Sequence, residues 1–321
     1  MHIQLLTTTH WHPPLGRGGI VRLLFCLLAM PAALLAAPGH VSPDLEEGYA
    51  AVLRSADGFP GPDHDWRARA AHVEKVFNAR VQPQVASMHT LSTGELRTLL
   101  QATRAAAMAI KTPRYSALAL AAGERLRERG ALLPADIRDG AAIAMITRDG
   151  YSLTPSSPWS PAFAGRPLPR LPEGIRPFEY WTPLPGTGSY GRAVADMRSL
   201  DVVVISHPGC GFSRAAVDAA KQDPALHGLL SGARALWISP QDGTLDPEVF
   251  IDWTANHPDF PIHVVARQSG FAGFGYWGTP TFYILRDGKV TARVIGWPRD
   301  GNRAALLQAF SEAGIRSVGT P

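Results

Sequence analysis

Nine prolines lie between Ser152 and Pro185, and they divide the chain into two parts of different character. Proline fixes one backbone dihedral angle and has no N–H group to donate, so this density excludes a continuous helix or a central strand. We therefore predict an extended linker at 151–177, which separates an N-terminal domain at 40–150 from a C-terminal domain at 178–321. The 321 residues are enough for two such domains.

The N-terminal domain is predicted to be entirely α-helical. Apolar residues recur every three or four positions from Trp66 to Val81, which is typical of the buried stripe of a helix. The segment Ser92–Glu95 has the pattern of a capping box, and further helices are predicted from Pro113 to Gly130 and from Pro134 to Gly150. These short alanine-rich helices resemble a tetratricopeptide-type array of helical hairpins. They show no repeat at a fixed period, so a plain helical bundle is an equal alternative.

Residues 1–39 have the pattern of a signal peptide. Arg17 and Arg22 supply a basic start, and the apolar run Leu23–Ala37 is short for a membrane span. We expect cleavage and export to a periplasm, with no membrane span after cleavage. An uncleaved N-terminal anchor facing the periplasm is the alternative. Either location permits disulfide chemistry.

The composition argues against several classes of function. Hydrophobic residues make up 45% and charged residues 18% of the chain, and the net charge of +4 gives no electrostatic reason to expect a nucleic acid partner. The histidines after residue 39 lack the spacing of metal ligands and no GxSxG sequence is present, so we predict no metal site, no cofactor and no hydrolase. The glycines of Gly186–Gly191 match a dinucleotide-binding pattern by letter, but a proline-rich stretch precedes them where that motif needs a strand. We interpret them as a turn.

Cys210 is predicted to be the single cysteine of the mature protein, because Cys26 lies within the apolar core of the signal peptide. Cys210 stands at the start of a predicted helix, where unpaired N–H groups and the helix dipole favour its thiolate. His207, in the preceding loop, is expected to add positive charge, or else to contact only water or backbone. Ser213, one helical turn further on, is expected to hydrogen-bond the thiolate, or else to be simply a small first-turn residue.

The C-terminal domain alternates predicted strands and helices. Crossover helices separate the first strands, which should therefore be parallel, whereas the last two strands form a hairpin and should be antiparallel. The expected result is a mixed α/β sheet covered by helices. Its predicted elements are a strand at Asp201–Ser206, a helix at Cys210–Asp223, a strand at Ala233–Ser239, a helix at Asp246–Asn256, an extended piece at Phe260–Ala266, a hairpin within Gly278–Trp297 that turns at Asp287–Gly288, and a helix at Asn302–Ala313.

Three motifs in this domain, taken in order, resemble the thioredoxin superfamily. They are the strand that leads into Cys210-Gly-Phe-Ser213, the loop Gly278-Thr-Pro-Thr281, and the turn Asp287-Gly-Lys289. The resemblance implies a thioredoxin-like α/β fold over roughly 178–314.

The same resemblance implies the layout of a substrate site. A cis Pro280 would place the backbone of Thr279 beside Cys210, where an extended client segment can pair with it. Tyr276 and Trp277 are expected to form an apolar rim for the client, unless one or both belong to the core. Phe212 is expected to be an exposed aromatic residue at the same edge.

Two subgroups of the superfamily share features with this chain. The tetrad Cys210–Ser213 is similar to that of monothiol glutaredoxins, which share an iron–sulfur cluster with glutathione, but the lysine expected in their upstream loop is missing. The block from Asp259 to Trp297 resembles periplasmic thioredoxins and disulfide isomerases, and we favour this group. Val204 stands where thioredoxins bury an acidic residue.

Ser213 replaces the second cysteine of the motif, so a mixed disulfide formed at Cys210 needs another thiol to release it. We therefore expect thiol–disulfide exchange or mixed-disulfide capture, with a protein or peptide thiol or disulfide as client and an external thiol as reductant. Such a protein would be a thiol–disulfide oxidoreductase or isomerase. The alternatives are a redox-inactive interaction module, in which Cys210 is a small buried apolar residue, and a glutathione-linked iron–sulfur protein.

Overall fold

The structure is a computed structural model that describes residues 43–57, 65–244 and 246–316. The predicted signal peptide at 1–39 lies outside the described residues. Within these ranges, no helix is both long enough and apolar enough to cross a bilayer.

The N-terminal part is helical, as predicted. The capping box is confirmed, since the Ser92 hydroxyl accepts from the Glu95 N–H at 3.3 Å and the Glu95 carboxylate accepts from the Ser92 N–H at 2.7 Å. The helices are α1 (Pro43–Asp57), α2 (Trp66–Arg80), α3 (Gln82–Val85), α4 (Thr93–Ile110), α5 (Pro113–Glu128) and α6 (Pro134–Thr147). The fourth helix, α4, packs against α1, α2, α5 and α6, and so has the central position among these helices.

The first half of the predicted linker packs against this helical core. It forms two 3-10 turns, Gly150–Leu153 and Ser160–Phe163, and the indole of Trp159 just before the second turn is fully buried. Two glycines make room for that indole. A Cβ atom at Gly123 would lie 2.1 Å from it, and one at Gly140 would lie 2.4 Å from it. Pro161 is compatible with the second turn because it lies in its first positions, where a backbone N–H has no partner within the turn.

The C-terminal part is a mixed seven-stranded sheet with helices, which confirms the predicted architecture at that level. The strands are β1 (Glu179–Pro183), β2 (Tyr190–Val194), β3 (Val202–Ile205), β4 (Ala235–Ser239), β5 (Ile262–Val265), β6 (Thr281–Arg286) and β7 (Lys289–Ile295). Their order in the sheet is β2-β1-β5-β4-β3-β6-β7. Strand β4 pairs in parallel with β3 and with β5, and the other neighbouring strands pair antiparallel. The helices are α7 (Gly211–Gln222), α8 (Pro224–Leu230), α9 (Glu248–Asn256) and α10 (Arg303–Glu312).

The exclusion of a central strand from the proline-rich region is wrong for β1. This strand pairs with β2 on one side and with β5 on the other. It tolerates the surrounding prolines because Pro183, its last residue, is the single proline within it. Gly186 and Gly188 lie in the turn between β1 and β2 and have positive φ, which confirms their interpretation as a turn, whereas Gly191 lies in β2 opposite Thr182.

A buried carboxylate holds β1 and β2 together. Glu179 accepts hydrogen bonds from the guanidinium of Arg192 at 2.7 and 2.9 Å, from the Trp181 indole at 2.8 Å and from Arg176 at 3.2 Å. Burial by itself raises the pKa of Glu179, but the hydrogen bonds from Arg192, Trp181 and Arg176 outweigh it and lower that pKa to about 2. The carboxylate is therefore charged in the folded protein at neutral pH.

Candidate functional site

Cys210 lies at the N-cap position of α7, directly after the loop that follows β3. It is half-buried, and it is the free cysteine among the residues that the structure describes. Its Sγ lies 3.3 Å from the carbonyl oxygen of Thr279, a residue 69 positions later in the sequence. The peptide bond between Thr279 and Pro280 is cis. The helix start and the loop before β6 therefore meet at one place.

The surroundings of Cys210 favour its thiolate. Burial raises the pKa of the thiol, but hydrogen bonds from the side chain of Thr279, from the N–H and hydroxyl of Ser213 and from the N–H of Phe212 outweigh it, so the pKa of Cys210 is lowered. Ser213 is buried, and its oxygen also accepts from the backbone N–H of His207 at 3.4 Å. Its hydroxyl therefore links the loop before α7 to the thiol.

His207 lies in the loop before α7 and contacts both backbone and side chains there. Its Nδ1 accepts a hydrogen bond from the Gly209 N–H at 2.9 Å. Its Nε2 faces the Thr244 hydroxyl at 3.2 Å and the Asp242 carboxylate at 3.3 Å. The alternative of a loop histidine bonded to backbone describes these contacts, and the positive charge that the ring would add near Cys210 stays a prediction.

The three aromatic residues predicted to line the site differ in exposure. Phe212 is 62% exposed beside Cys210, as expected for an aromatic residue at the edge of the site. Tyr276 is half-buried. Trp277 is only 7% exposed, packs against Phe271 and Phe274, and donates its indole N–H to the Phe274 carbonyl at 3.1 Å. Trp277 is thus mainly a core residue, the second of the two expectations stated for it.

The helical part forms one wall of the site, which the sequence reasoning missed. A groove of about 500 Å³ in front of Cys210 and Thr279 is lined on its other side by residues of α4 and α6, namely Arg104, Met108, Ala142 and Ile146. Met108 is 57% exposed, and the Arg104 guanidinium pairs with Asp139 at 3.1 Å. No local sequence signal identifies these positions, because an exposed methionine or arginine on a helix has no pattern of its own.

Two buried or half-buried cations fix this wall against the sheet. The guanidinium of Arg148, just after α6, is buried and donates to the carbonyls of Val265 and Ala266 at 3.0 and 3.3 Å. Lys111, just after α4, donates to the carbonyl of Gln241 at 2.7 Å. The helical part and the sheet part therefore meet through specific hydrogen bonds.

The described residues include no group of three or more histidine, cysteine or acidic side chains that could hold a metal ion. Comparison with family models, with curated proteins and with solved structures finds no match to this chain. The fold and the site define an α/β protein in which the thiol of Cys210, whose pKa is lowered, lies at a helix N-terminus and faces both a cis-proline loop and a helical wall.

Proposed function

We propose that this chain is an exported thioredoxin-like protein with one active thiol, and that it exchanges disulfides with a protein or peptide client through Cys210. The observation that carries the proposal is the environment of the thiol. Cys210 is the N-cap residue of α7, hydrogen bonds from the Thr279 side chain, from Ser213 and from the Phe212 N–H lower its pKa, and its Sγ lies next to the carbonyl of Thr279.

The reaction balances with thiols supplied from outside the chain. The Cys210 thiolate attacks one sulfur of a client disulfide, a new S–S bond forms, and the second client sulfur leaves as a thiolate. A second thiolate then attacks the client sulfur of the mixed disulfide and releases Cys210. If that thiolate belongs to the client, the disulfide is isomerised without net oxidation. If it belongs to an external thiol, the client stays bonded to that thiol until a second external thiol attacks this new disulfide, and two electrons then pass from the two thiols to the client.

Ser213 has two consequences for this cycle. Its hydroxyl stabilises the attacking thiolate, but it cannot act as the resolving nucleophile of a CxxC pair. The mixed disulfide therefore persists until another thiol arrives, and this persistence would let the protein hold a client.

Two measurements on the full chain test the proposal. The rate of Cys210 alkylation is measured against pH, and disulfide adducts formed with an oxidised client protein are resolved on non-reducing gels, with Cys210→Ala as control. We expect alkylation at a lower pH than for a free cysteine, and adducts that Cys210→Ala lacks. Pro280→Ala should change the amount of adduct. An ordinary thiol profile together with no Cys210-dependent adduct would refute the proposal and favour a redox-inactive binding module.

A further inference from the structure

The geometry of a disulfide limits where the neighbours of a client cysteine lie. The two Cα atoms of a disulfide are roughly 4.4–6.8 Å apart, so a client bonded to Cys210 passes within that distance of the start of α7. Cys210 is half-buried on one side of the groove whose other side is formed by α4 and α6. The residues next to the client cysteine are therefore brought to the walls of this groove.

The charged side chains that line the groove are compensated by other described residues. Arg104 pairs with Asp139 at 3.1 Å, and the Asp242 carboxylate lies 3.3 Å from the ring of His207. The negative charge of Asp242 also acts on the Lys111 ammonium group, where it opposes the burial that lowers the pKa of Lys111 to about 8. The groove therefore gives no electrostatic reason to prefer a client residue of either charge.

Met108 is the most exposed apolar side chain that lines the groove. It is 57% exposed, whereas Ile146 is 3% exposed and both Ala142 and Pro240 are half-buried. A methionine side chain is flexible and polarizable, so it adapts to apolar partners of different shape. Met108 is therefore the main apolar contact that the helical part offers to a residue in front of the thiol.

The backbone of Met108 is held in place on this wall. Its carbonyl accepts from the Lys111 ammonium group at 2.8 Å, and Lys111 also donates to the Gln241 carbonyl at 2.7 Å. The side-chain amide of Gln241 in turn donates to the Ile146 carbonyl of α6 at 2.6 Å. These bonds connect α4, α6 and the segment after β4, so the wall is formed before a client arrives and only the Met108 side chain has to adapt.

We propose that Met108 is a specificity-determining residue of the thiol site, and that its side chain packs on an apolar residue one or two positions from the client cysteine that Cys210 attacks. This inference rests on the proposed function and names its class of client, a disulfide flanked by apolar residues. Burial of apolar surface between Met108 and such a residue stabilises the complex. A charged residue at the same place would lose water without gaining a partner.

The test uses ten-residue peptides with one cysteine, activated as a mixed disulfide with a small aromatic thiol. They carry leucine at the two positions before the cysteine, leucine at the two positions after it, or serine at all four. Release of the aromatic thiol gives the rate constant with the wild-type protein, divided by that of the same peptide with a small free thiol. We expect at least one leucine peptide to react about tenfold faster than the serine peptide, the factor that burial of roughly 55 Å² of apolar surface provides.

Variants assign this preference to Met108. Met108→Gln keeps the length of the side chain and makes it polar, so the preference for leucine should fall to about threefold or less, and Met108→Leu should restore it. Leu133→Gln is the matched control. Leu133 is also exposed, but it precedes α6 and lies roughly 20 Å along that helix from Ile146, so this variant should keep the full preference.

Phe212 requires a separate variant, because it is 62% exposed and lies two residues after Cys210. A leucine preference that Phe212→Ser abolishes and Met108→Gln leaves intact would assign the contact to Phe212 and overturn the inference. Circular dichroism verifies that each variant is folded.

A binding measurement without the covalent step complements the rates. Cys210→Ala protein, labelled with ¹³C in its methionine methyl groups, is titrated with the same peptides carrying serine in place of cysteine. The methyl signal that is missing when Met108→Leu is added identifies Met108. We expect this signal to shift with a leucine peptide and not with the serine peptide.

The outcomes separate this inference from the proposed function. Equal rates for all peptides, or a leucine preference that Met108→Gln leaves intact, would overturn the role of Met108, while reaction of Cys210 with the peptides still supports the function. If Cys210 reacts with no peptide disulfide, the function is refuted, and a leucine-dependent shift of the Met108 signal would still support the apolar contact.

Discussion

Replacing Glu179 with glutamine should remove a pH-dependent part of the folding free energy. The carboxylate is buried between β1 and β2 and accepts hydrogen bonds from Arg192, Trp181 and Arg176. These bonds lower its pKa from the ordinary 4.5 to about 2. One pKa unit corresponds to 1.36 kcal/mol, so the shift amounts to about 3 kcal/mol. This value is an upper bound, since Arg176 is 59% exposed and water screens its charge.

The direction of the pH dependence follows from the sign of the shift. The pKa of Glu179 is lower in the folded state, so its contribution is fully present above about pH 4.5 and is lost as the pH falls towards 2. Below that range the wild-type side chain is protonated, and it then resembles the neutral glutamine of the variant. The difference in stability between the two proteins should therefore shrink over this interval.

Urea unfolding followed by circular dichroism, at intervals from pH 7 to pH 2, measures this difference. We expect the free energy of unfolding of Glu179→Gln to approach that of the wild type by up to about 3 kcal/mol as the pH falls from 4.5 to 2. Glu47→Gln, at an exposed position of α1, serves as the control and should stay parallel to the wild type. Parallel curves for Glu179→Gln would refute the assignment of the low pKa to this network.

Two further substitutions test the thiol and the helical core. Ser213→Ala removes the hydroxyl that stabilises the Cys210 thiolate, so the thiol pKa should rise and alkylation at pH 7 should slow several-fold in a stopped-flow assay. Gly140→Ala places a Cβ atom 2.4 Å from the buried indole of Trp159, and thermal unfolding should show a loss of roughly 1–3 kcal/mol from this overpacking.

Each of these substitutions has a matched control. Ser206→Ala removes a buried hydroxyl that forms no hydrogen bond within the described residues, and it should leave the alkylation rate unchanged. Gly150→Ala adds the same methyl group where the nearest atoms lie 3.7 Å away, and it should leave stability within about 0.5 kcal/mol of the wild type. If either control matched its test variant, the specific contact would not be the cause.

The central part of the site could be predicted because its signals are local. A cysteine after a buried strand and before a helix indicates a thiol at the N-cap, and that is where Cys210 lies. Ser213, one turn later, contacts it as its spacing suggests. The contacts of His207 could not be predicted, because Gly209 and Thr244 meet its ring only after the loop has folded.

The strand β1 shows a second limit of sequence reasoning. The high density of prolines is a property of the whole proline-rich region. Strand β1 occupies only five residues of that region, and its one proline is at its end, so the strand can still form. Trp277 shows the same limit for burial. An aromatic residue near a predicted site can face a client or the core, and packing against Phe271 and Phe274 decides for the core.

By itself, the sequence determined the order and type of most elements, since apolar periodicity, caps and turn residues act over a few positions along the chain. The tertiary structure alone decided what surrounds the thiol. Cys210 meets Thr279 from 69 residues away, and Met108 of α4 faces both of them across the groove. Such contacts depend on how helices and sheet pack together, through hydrogen bonds such as that of Lys111 to Gln241, and no short stretch of sequence specifies that packing.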